Sequence, residues 1–286
     1  MSVILEVKNL THTYNASTPF VTDAIKNVSF SVKEGEIIGI IGHTGSGKST
    51  LVQHLNGLLK PTSGNIYFCG EDIFRDPKKT RDIRFKIGLV FQYPEYQLFE
   101  ETVYDDIAFG PKNMGLSGSE LDKRVKESAE LIGLKESYLS VSPFDLSGGE
   151  KRRVAVAGVM AMNPKVLILD EPVAGLDPQG RADMVSLIKK YRDTYNATVI
   201  IVSHNMEDMA VLADKLLVMN NGEIDSFDTT YNVFSNAEHL KEIGLSVPMV
   251  TEIFRVIKKC GYNTDTNIFT VKAALDYILK GGIKNA

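Results

Sequence analysis

The sequence predicts an α/β layer architecture around a mostly parallel sheet. Several short runs are apolar without a break, helical patterns separate them, and a glycine-rich loop joins one of the runs to a helix. The first two strands are of a different kind. "ILEVKNL" and "NVSFSV" alternate apolar and polar residues, the pattern of half-buried strands. "EIIGIIG" is continuously apolar and ends in glycine, as a strand covered on both faces does. "KIGLVF" (86–91), "KVLILD" (165–170), "TVIIVS" (198–203) and "KLLVM" (215–219) belong to the same class. Helical periodicity covers 119–132, 149–161 and 178–193, and "VMNNGEIDSF" reads as a hairpin turning at Asn-Gly.

Residues 93–162 interrupt this alternation with helices and no convincing strand, so a helical subdomain inserted between buried strands is expected there. The sheet grammar stops after Asp228. "VPMVTEIFRVIKKCG" places apolar residues at 249, 250, 253, 254, 256 and 257, a broad helical stripe, and "TVKAALDYILKGG" repeats the pattern until its glycines. Residues 229–286 are therefore read as a small α-rich extension of a domain spanning 1–228.

Composition narrows the classes of function. Apolar residues make up 43% and charged residues 24%, as in an ordinary globular chain. The net charge is −4, and a protein that lives on nucleic acid leans basic, so nucleic acid is not an expected partner. The longest apolar runs fall far below the ~18 residues of a spanning helix, and no secretory signal opens the sequence. A cytosolic location is expected, with any membrane part supplied by another chain. Cys69 and Cys260 form no disulfide or metal framework and are expected to be small buried hydrophobes.

Chemistry concentrates at the ends of the buried strands. Gly42, His43, Thr44, Gly45, Ser46, Gly47, Lys48 and Ser49 fit G-x-x-x-x-G-K-[ST] between a buried strand and a helix that continues through Thr50. Such a loop aims successive backbone N–H groups at a polyphosphate. The helix start adds a positive dipole end, Lys48 a mobile cation and Ser49 a hydroxyl for Mg²⁺. His43 and Thr44 fill variable positions and offer backbone. Asp170 and Glu171 follow "VLIL" at the carboxyl edge of the sheet, where α/β proteins bind ligands. Beside a phosphate loop, Asp170 reads as the Mg²⁺ carboxylate and Glu171 as the polariser of the attacking water. Gln92 and His204 end two further buried strands. Gln92 can reach the metal or the water, and His204 can hold a terminal phosphate. Tyr14, expected in a loop after the first strand, is either a packing aromatic or a platform for adenine.

A second anion-shaped stretch, "DLSGGEKRR", remains. Ser147, Gly148 and Gly149 open a helix whose free N–H groups point outward, and Glu150 is the one acid where the helix dipole favours one. Lys151, Arg152 and Arg153 oppose that dipole, which suggests that acids from elsewhere or an incoming anion meet them. One nucleotide fills the pocket at Lys48, so this second site suits a phosphate held by another subunit.

In their order, "GHTGSGKS", "FQYPEYQLF", "LSGGE", "VLILDEP", "AGLD" and "VSH" resemble the ATP-binding-cassette family across residues 3 to about 228. The resemblance implies a P-loop NTPase fold with a mostly parallel core sheet, an antiparallel β subdomain and a helical subdomain. It also implies that two cassettes pair head to tail around shared ATP. Ser147, Gly148, Gly149 and Glu150 would then act in trans, Asp177 would lie at the dimer seam, and Tyr14 would stack on adenine. The family usually has Gln where this chain has Glu150. The stretches "TPFVTDAIKNVSF", "VFQYPEYQLFEETVYDDIAFGPKNMGLS" and "LSGGEKRRVAVAGVMAMNPKVLILDEPVAGLDP" are similar, more narrowly, to the second of the two paralogous ATP-binding subunits of energy-coupling factor transporters. That likeness implies an ATP-hydrolysing subunit on the cytoplasmic face of the membrane, energising uptake of vitamins or transition-metal ions. Its implied partners are an unlike second cassette, a transmembrane scaffold protein and a substrate-binding membrane protein. The C-terminal extension would help the cassettes associate, and Tyr93 to Phe99 would lie beside the groove that receives the scaffold.

Two other classes stay open at this point. A cassette ATPase acting on nucleic acid or ribosomes would carry two cassettes in one chain or a long coiled-coil insertion. This chain has one phosphate loop, and too little sequence between Ser49 and Ser147 for such an insertion. A catalytically silent regulatory cassette is opposed by Glu171 and His204.

Overall fold

The computed structural model describes residues 2–16 and 19–285. In chain order it contains β1 (Val3–Tyr14), β2 (Thr22–Lys33), β3 (Ile37–Ile41), α1 (Lys48–Leu55), β4 (Ser63–Phe68), β5 (Glu71–Asp72), α2 (Pro77–Lys86) and β6 (Ile87–Val90). Three helices follow, α3 (Val103–Asn113), α4 (Gly118–Leu131) and α5 (Gly148–Met160), before β7 (Val166–Asp170), α6 (Pro178–Tyr195), β8 (Thr198–Val202) and α7 (Met206–Leu212). The chain ends with β9 (Lys215–Asn220), β10 (Glu223–Thr229), α8 (Thr230–Ser235), α9 (Ala237–Glu242), α10 (Met249–Lys259), β11 (Tyr262–Asn263), α11 (Val271–Leu279) and β12 (Lys284–Asn285).

The large sheet has the order β10-β9-β3-β8-β7-β6. All its neighbours pair in parallel except the β9–β10 hairpin. Its central strands carry no polar alternation because both faces are covered, and successive residues feed different cores. Ile38 and Ile40 of β3 pack toward the second sheet and α1, whereas Ile37 and Ile41 pack toward the helical side. The second sheet, β2-β1-β4-β5, is antiparallel. Its strands are buried on one face only, so their sequences alternate.

Between Tyr93 and Met162 there is no strand among the described residues. Helices α3, α4 and α5 join the core under one face of the large sheet. α8 and α9 join the same core through Val233, Phe234, Ala237 and Leu240. A separate small core begins only at α10, where Phe254, Ile268 and Ala274 bury one another. The tail is α-rich as expected, with a two-stranded β11–β12 ribbon added.

Two expectations are corrected. Tyr14 is the last residue of β1, not a loop residue; register shifts near Val7, Leu10 and His12 break the alternation that would have marked the strand's end. Cys69 and Cys260 are exposed. Cys69 sits in the tight turn after β4 with φ 50°, its N–H bonded to the Ile4 carbonyl, and Cys260 caps the end of α10. Of the two alternatives for the cations after Glu150, Arg152 takes the first, an acid from elsewhere: it is 3% exposed and its guanidinium is taken by Glu95 and the Ala174 carbonyl.

Candidate nucleotide site at the carboxyl edge of the sheet

The strand order brings the chemistry together. The phosphate loop follows β3, His204 follows β8, Asp170 and Glu171 end and follow β7, and Gln92 lies just beyond β6. These four strands are adjacent and parallel, so their carboxyl ends share one edge.

The loop's shape rests on its glycines. Gly47 caps α1 with φ 99°, a conformation that costs an L-residue roughly 1–2 kcal/mol. A β-carbon there would also run into the Ala24 carbonyl oxygen of β2. Ser46 is fully buried and its carbonyl accepts from Gly222 N–H at 3.2 Å, which braces the loop against the β9–β10 turn. His43 does more than lend backbone: its Nε2 lies 3.2 Å from Asn220 Oδ1 and its Nδ1 2.8 Å from the Thr44 carbonyl. Thr44 and Gly45 stay exposed. Lys48 folds back on its own loop, donating to the carbonyls of Gly42 at 2.7 Å and His43 at 2.8 Å. Burial holds its ammonium below the ordinary lysine range, against the pull of Glu171 and Asp170.

The carboxylates are arranged unequally. Asp170 is buried, which pushes its carboxyl above the usual carboxylate range despite a hydrogen bond from the Ser49 hydroxyl. Glu171 adopts φ 51°, a left-handed conformation that costs a non-glycine residue about 1–3 kcal/mol and that clusters at functional sites. Its N–H is fixed to the Val202 carbonyl at 2.9 Å. His204 Nδ1 lies 2.9 Å from Glu171 Oε1, so Nδ1 carries a hydrogen toward the carboxylate. Glu171 Oε2 is buried without a partner among the described residues. The imidazole itself is largely exposed, with 74% of its side chain accessible against 12% for Glu171.

No trio of histidine, cysteine and carboxylate groups is placed to enclose a metal by protein alone among the described residues. An exposed Ser49 hydroxyl beside an under-neutralised Asp170 instead suits Mg²⁺, which keeps several ligands from water and substrate phosphates. Gln92 is exposed on the same edge and makes no hydrogen bond to Asp170 or Glu171. Tyr14 stands beside α1, its hydroxyl 3.4 Å from Thr50 Oγ1 and its ring edge-on to His12, with one side open.

Ser147 caps α5 in a reciprocal box with Glu150. Gly148 and Gly149 have nothing within 4 Å of where a β-carbon would stand, so this helix start lies open. Asp177 carries a role the sequence did not announce: its Oδ1 caps α6 by accepting from Gly180 N–H at 2.7 Å. A cleft of about 530 Å³ lies here between Ser147, Arg153, Asp177 and Gln179. Thr44, Gly45 and Ser49 of the phosphate loop are exposed, and Ser147 and Asp177 border the groove.

Two further clamps escaped the sequence. Arg181 binds Asp208 Oδ1 at 2.8 Å and Asn205 Oδ1, fixing the segment that holds His204. Arg152 binds both oxygens of Glu95, at 3.0 and 3.3 Å, and lies over the Tyr93 ring. Each joins residues distant in sequence, and no local spacing encodes such a contact.

Residues 25–174 match the model of the ABC transporter family. The chain is 52% identical to the energy-coupling factor transporter ATP-binding protein EcfA2 of Caldanaerobacter subterraneus, over 98% of this chain and 99% of that one. It is 54% identical to the protein of the same name from Clostridioides difficile, over 98% and 97%. Among solved structures, cbiO1 of Clostridium perfringens, part of the ABC transporter complex cbiONQ, superposes with a TM-score of 0.76 at 37% identity, covering 90% of this chain and all of that one. A dimeric ATP-binding cassette bound to ADP and phosphate after hydrolysis superposes at 0.72 with 30% identity, over 79% and 99%. With the phosphate loop, the paired carboxylates and this similarity along its whole length, the chain belongs to the ABC transporter family, among the ATP-binding, ATP-hydrolysing subunits that energise energy-coupling factor transporters.

Proposed function

We propose that this chain supplies complementary halves of two ATP sites to a heterodimer of cassettes. ATP closes the pair and hydrolysis reopens it, driving a transmembrane scaffold and a substrate-binding membrane protein that take up a vitamin or a transition-metal ion. The chain then sits on the cytoplasmic face of the membrane. Among the described residues, no helix is long and apolar enough to cross one.

The single observation that carries the reading is the state of Glu171. It is held in a strained backbone conformation, tied to His204 through one oxygen, and presents a second buried oxygen with no partner. A carboxylate so placed accepts the proton of an attacking water. His204 orients it and meets the terminal phosphate, and Gln92 completes the water's surroundings. Lys48 leaves the carbonyls of Gly42 and His43 to neutralise the phosphates, which the loop's N–H groups hold. Tyr14 stacks on the adenine. Asp170 and Ser49 would hold Mg²⁺, which neutralises charge on the terminal phosphates when bound.

The helix start of Ser147, Gly148, Gly149 and Glu150 reaches the nucleotide of the neighbouring cassette, and Asp177 lies at the dimer seam. The aromatic cluster of Tyr93, Tyr96, Phe99 and Phe109 is exposed beside α3 and receives the scaffold. The exposed apolar residues of α10 and α11 help the cassettes associate. Replacing Glu171 by Gln tests the centre of the scheme: ATP binding persists, while turnover falls on the order of 100-fold or more. Normal turnover by E171Q would remove Glu171 from the reaction.

A further inference from the structure

Tyr14 closes β1, and His12 lies two residues before it. Their rings meet at 83° with centroids 4.5 Å apart. Behind His12 stands the ring of His54, again at 4.5 Å and inclined by 67°. His54 is fully buried and belongs to α1, the helix that opens at Lys48. One turn earlier on that helix, Thr50 Oγ1 lies 3.4 Å from the Tyr14 hydroxyl, and the Thr50 carbonyl accepts from His54 Nδ1 at 2.7 Å. Strand and helix therefore meet at two rungs, Tyr14 on Thr50 and His12 on His54.

Because α1 starts from the phosphate loop, the two rungs fix where the Tyr14 ring stands relative to that loop. A nucleotide bridges the same gap, with its base at one end and its phosphates at the other. The ring rung works by contact alone. Both nitrogens of His12 and Nε2 of His54 are buried with no hydrogen-bond partner among the described residues. A buried nitrogen without a partner adds no stability. What His12 contributes is its flat ring, in the perpendicular geometry that aromatic pairs favour. Without that ring the hydroxyl contact with Thr50 remains, and at 3.4 Å it is long for two hydroxyls.

We propose that His12, backed by His54, is a positioning residue: it holds the Tyr14 ring at a fixed reach from the phosphate loop, where the ring stacks on adenine. The inference rests on the adenine stacking of Tyr14 proposed above.

The test uses the intact transporter complex and reads hydrolysis against ATP concentration. Inhibition by inorganic triphosphate, which engages the phosphate loop but has no base, is read beside it. His12→Ala raises the half-saturating ATP concentration on the order of tenfold, the scale of one base-stacking contact. Its maximal rate stays within about twofold of the unaltered complex, as when binding alone is lost, and triphosphate inhibits as before. His12→Phe keeps a ring and holds half-saturation within about twofold of the unaltered complex. An H12A complex that half-saturates at the unchanged ATP concentration overturns the proposal. So does an equal weakening toward triphosphate, which would make His12 a support of the phosphate loop, and so does H12F behaving like H12A.

Tyr14→Ala separates this from the underlying reading. With Tyr14 on adenine, Y14A alone raises half-saturation on the order of tenfold, and adding H12A changes little, since His12 acts through Tyr14. Additive losses in the double variant overturn the positioning role and leave the stacking intact. Y14A at the unchanged ATP concentration overturns the stacking itself, whatever His12 does.

Discussion

The nucleotide edge of the large sheet and the C-terminal extension are built on opposite principles. At the edge, the functional side chains lie at or just past the ends of buried strands and are tied down within the chain: Lys48 to its own loop, Ser49 to Asp170, His204 to Glu171. Strain is held there by backbone bonds to neighbouring strands. Beyond α9, by contrast, the separate core consists of Phe254, Ile268 and Ala274. α10 leaves Met249, Ile253 and Val256 exposed at helical spacing, and α11 leaves Val271, Leu275, Ile278 and Leu279. Polar latches fasten this unit at its rim, with Lys241 to Glu252 and Met249 N–H to Glu207. The first region is held in place by bonds within its own chain. The second has a core of few residues and leaves apolar stripes exposed on both its helices.

The contrast can be broken from either side. The largest effect is expected from Arg152→Met, which leaves the Glu95 carboxylate unpaired beneath the site edge. Breaking a buried pair in this way costs about 3–5 kcal/mol, and denaturant unfolding of the variant should show a loss of that size. Lys48→Ala should weaken ATP binding on the order of 100-fold in calorimetric titration. Its ligand-free thermal midpoint should hold or rise, because a desolvated cation has been removed.

A smaller effect concerns His54, which is fully buried on α1 with Nδ1 2.7 Å from the Thr50 carbonyl and its ring edge-on to His12. Burial is the main force holding its imidazole below the ordinary histidine range, and His12 adds to it. The neutral form is therefore the folded form. Its contribution is complete above the ordinary histidine value near 6.5 and is lost as pH falls from there through the lower folded value. Unfolding curves between pH 7 and pH 5 should show this decline, and His54→Gln should flatten it. The smallest expected effect is that of Ile253→Asp. Its side chain is 51% exposed, so the chain's own stability should stay within about 0.5 kcal/mol. Sedimentation of the cassette pair should nonetheless show weaker association. Unchanged association would leave the α10 stripe as ordinary surface.

The elements legible in the sequence were those with a continuous local signal. β3, β7, β8 and β9 stood out because burial on both faces erases polar alternation. Lys48, Asp170 and Glu171 were legible because a phosphate demands a fixed local geometry around it. β4, β5 and α2 were not read. β4 buries only Ile66 and Phe68, β5 has two residues, and α2 carries a strongly polar sequence. Tyr14 reads as a loop residue because bulges in β1 reset its period. The three cations after Glu150 looked alike in sequence, yet Arg152 is buried against Glu95, 57 positions away, while Arg153 borders the open groove. The capping role of Asp177 was hidden for the opposite reason: a residue facing a partner and a residue closing its own helix have the same letter.

Arg152 links three segments distant in sequence. Its guanidinium holds Glu95, beside the aromatic cluster, and the Ala174 carbonyl, three positions past Glu171, from a helix that starts at the signature. None of the three can slide past the others without stranding a buried positive charge. The surface segment of Tyr96 and the loop that follows Glu171 are therefore tied to the same buried side chain.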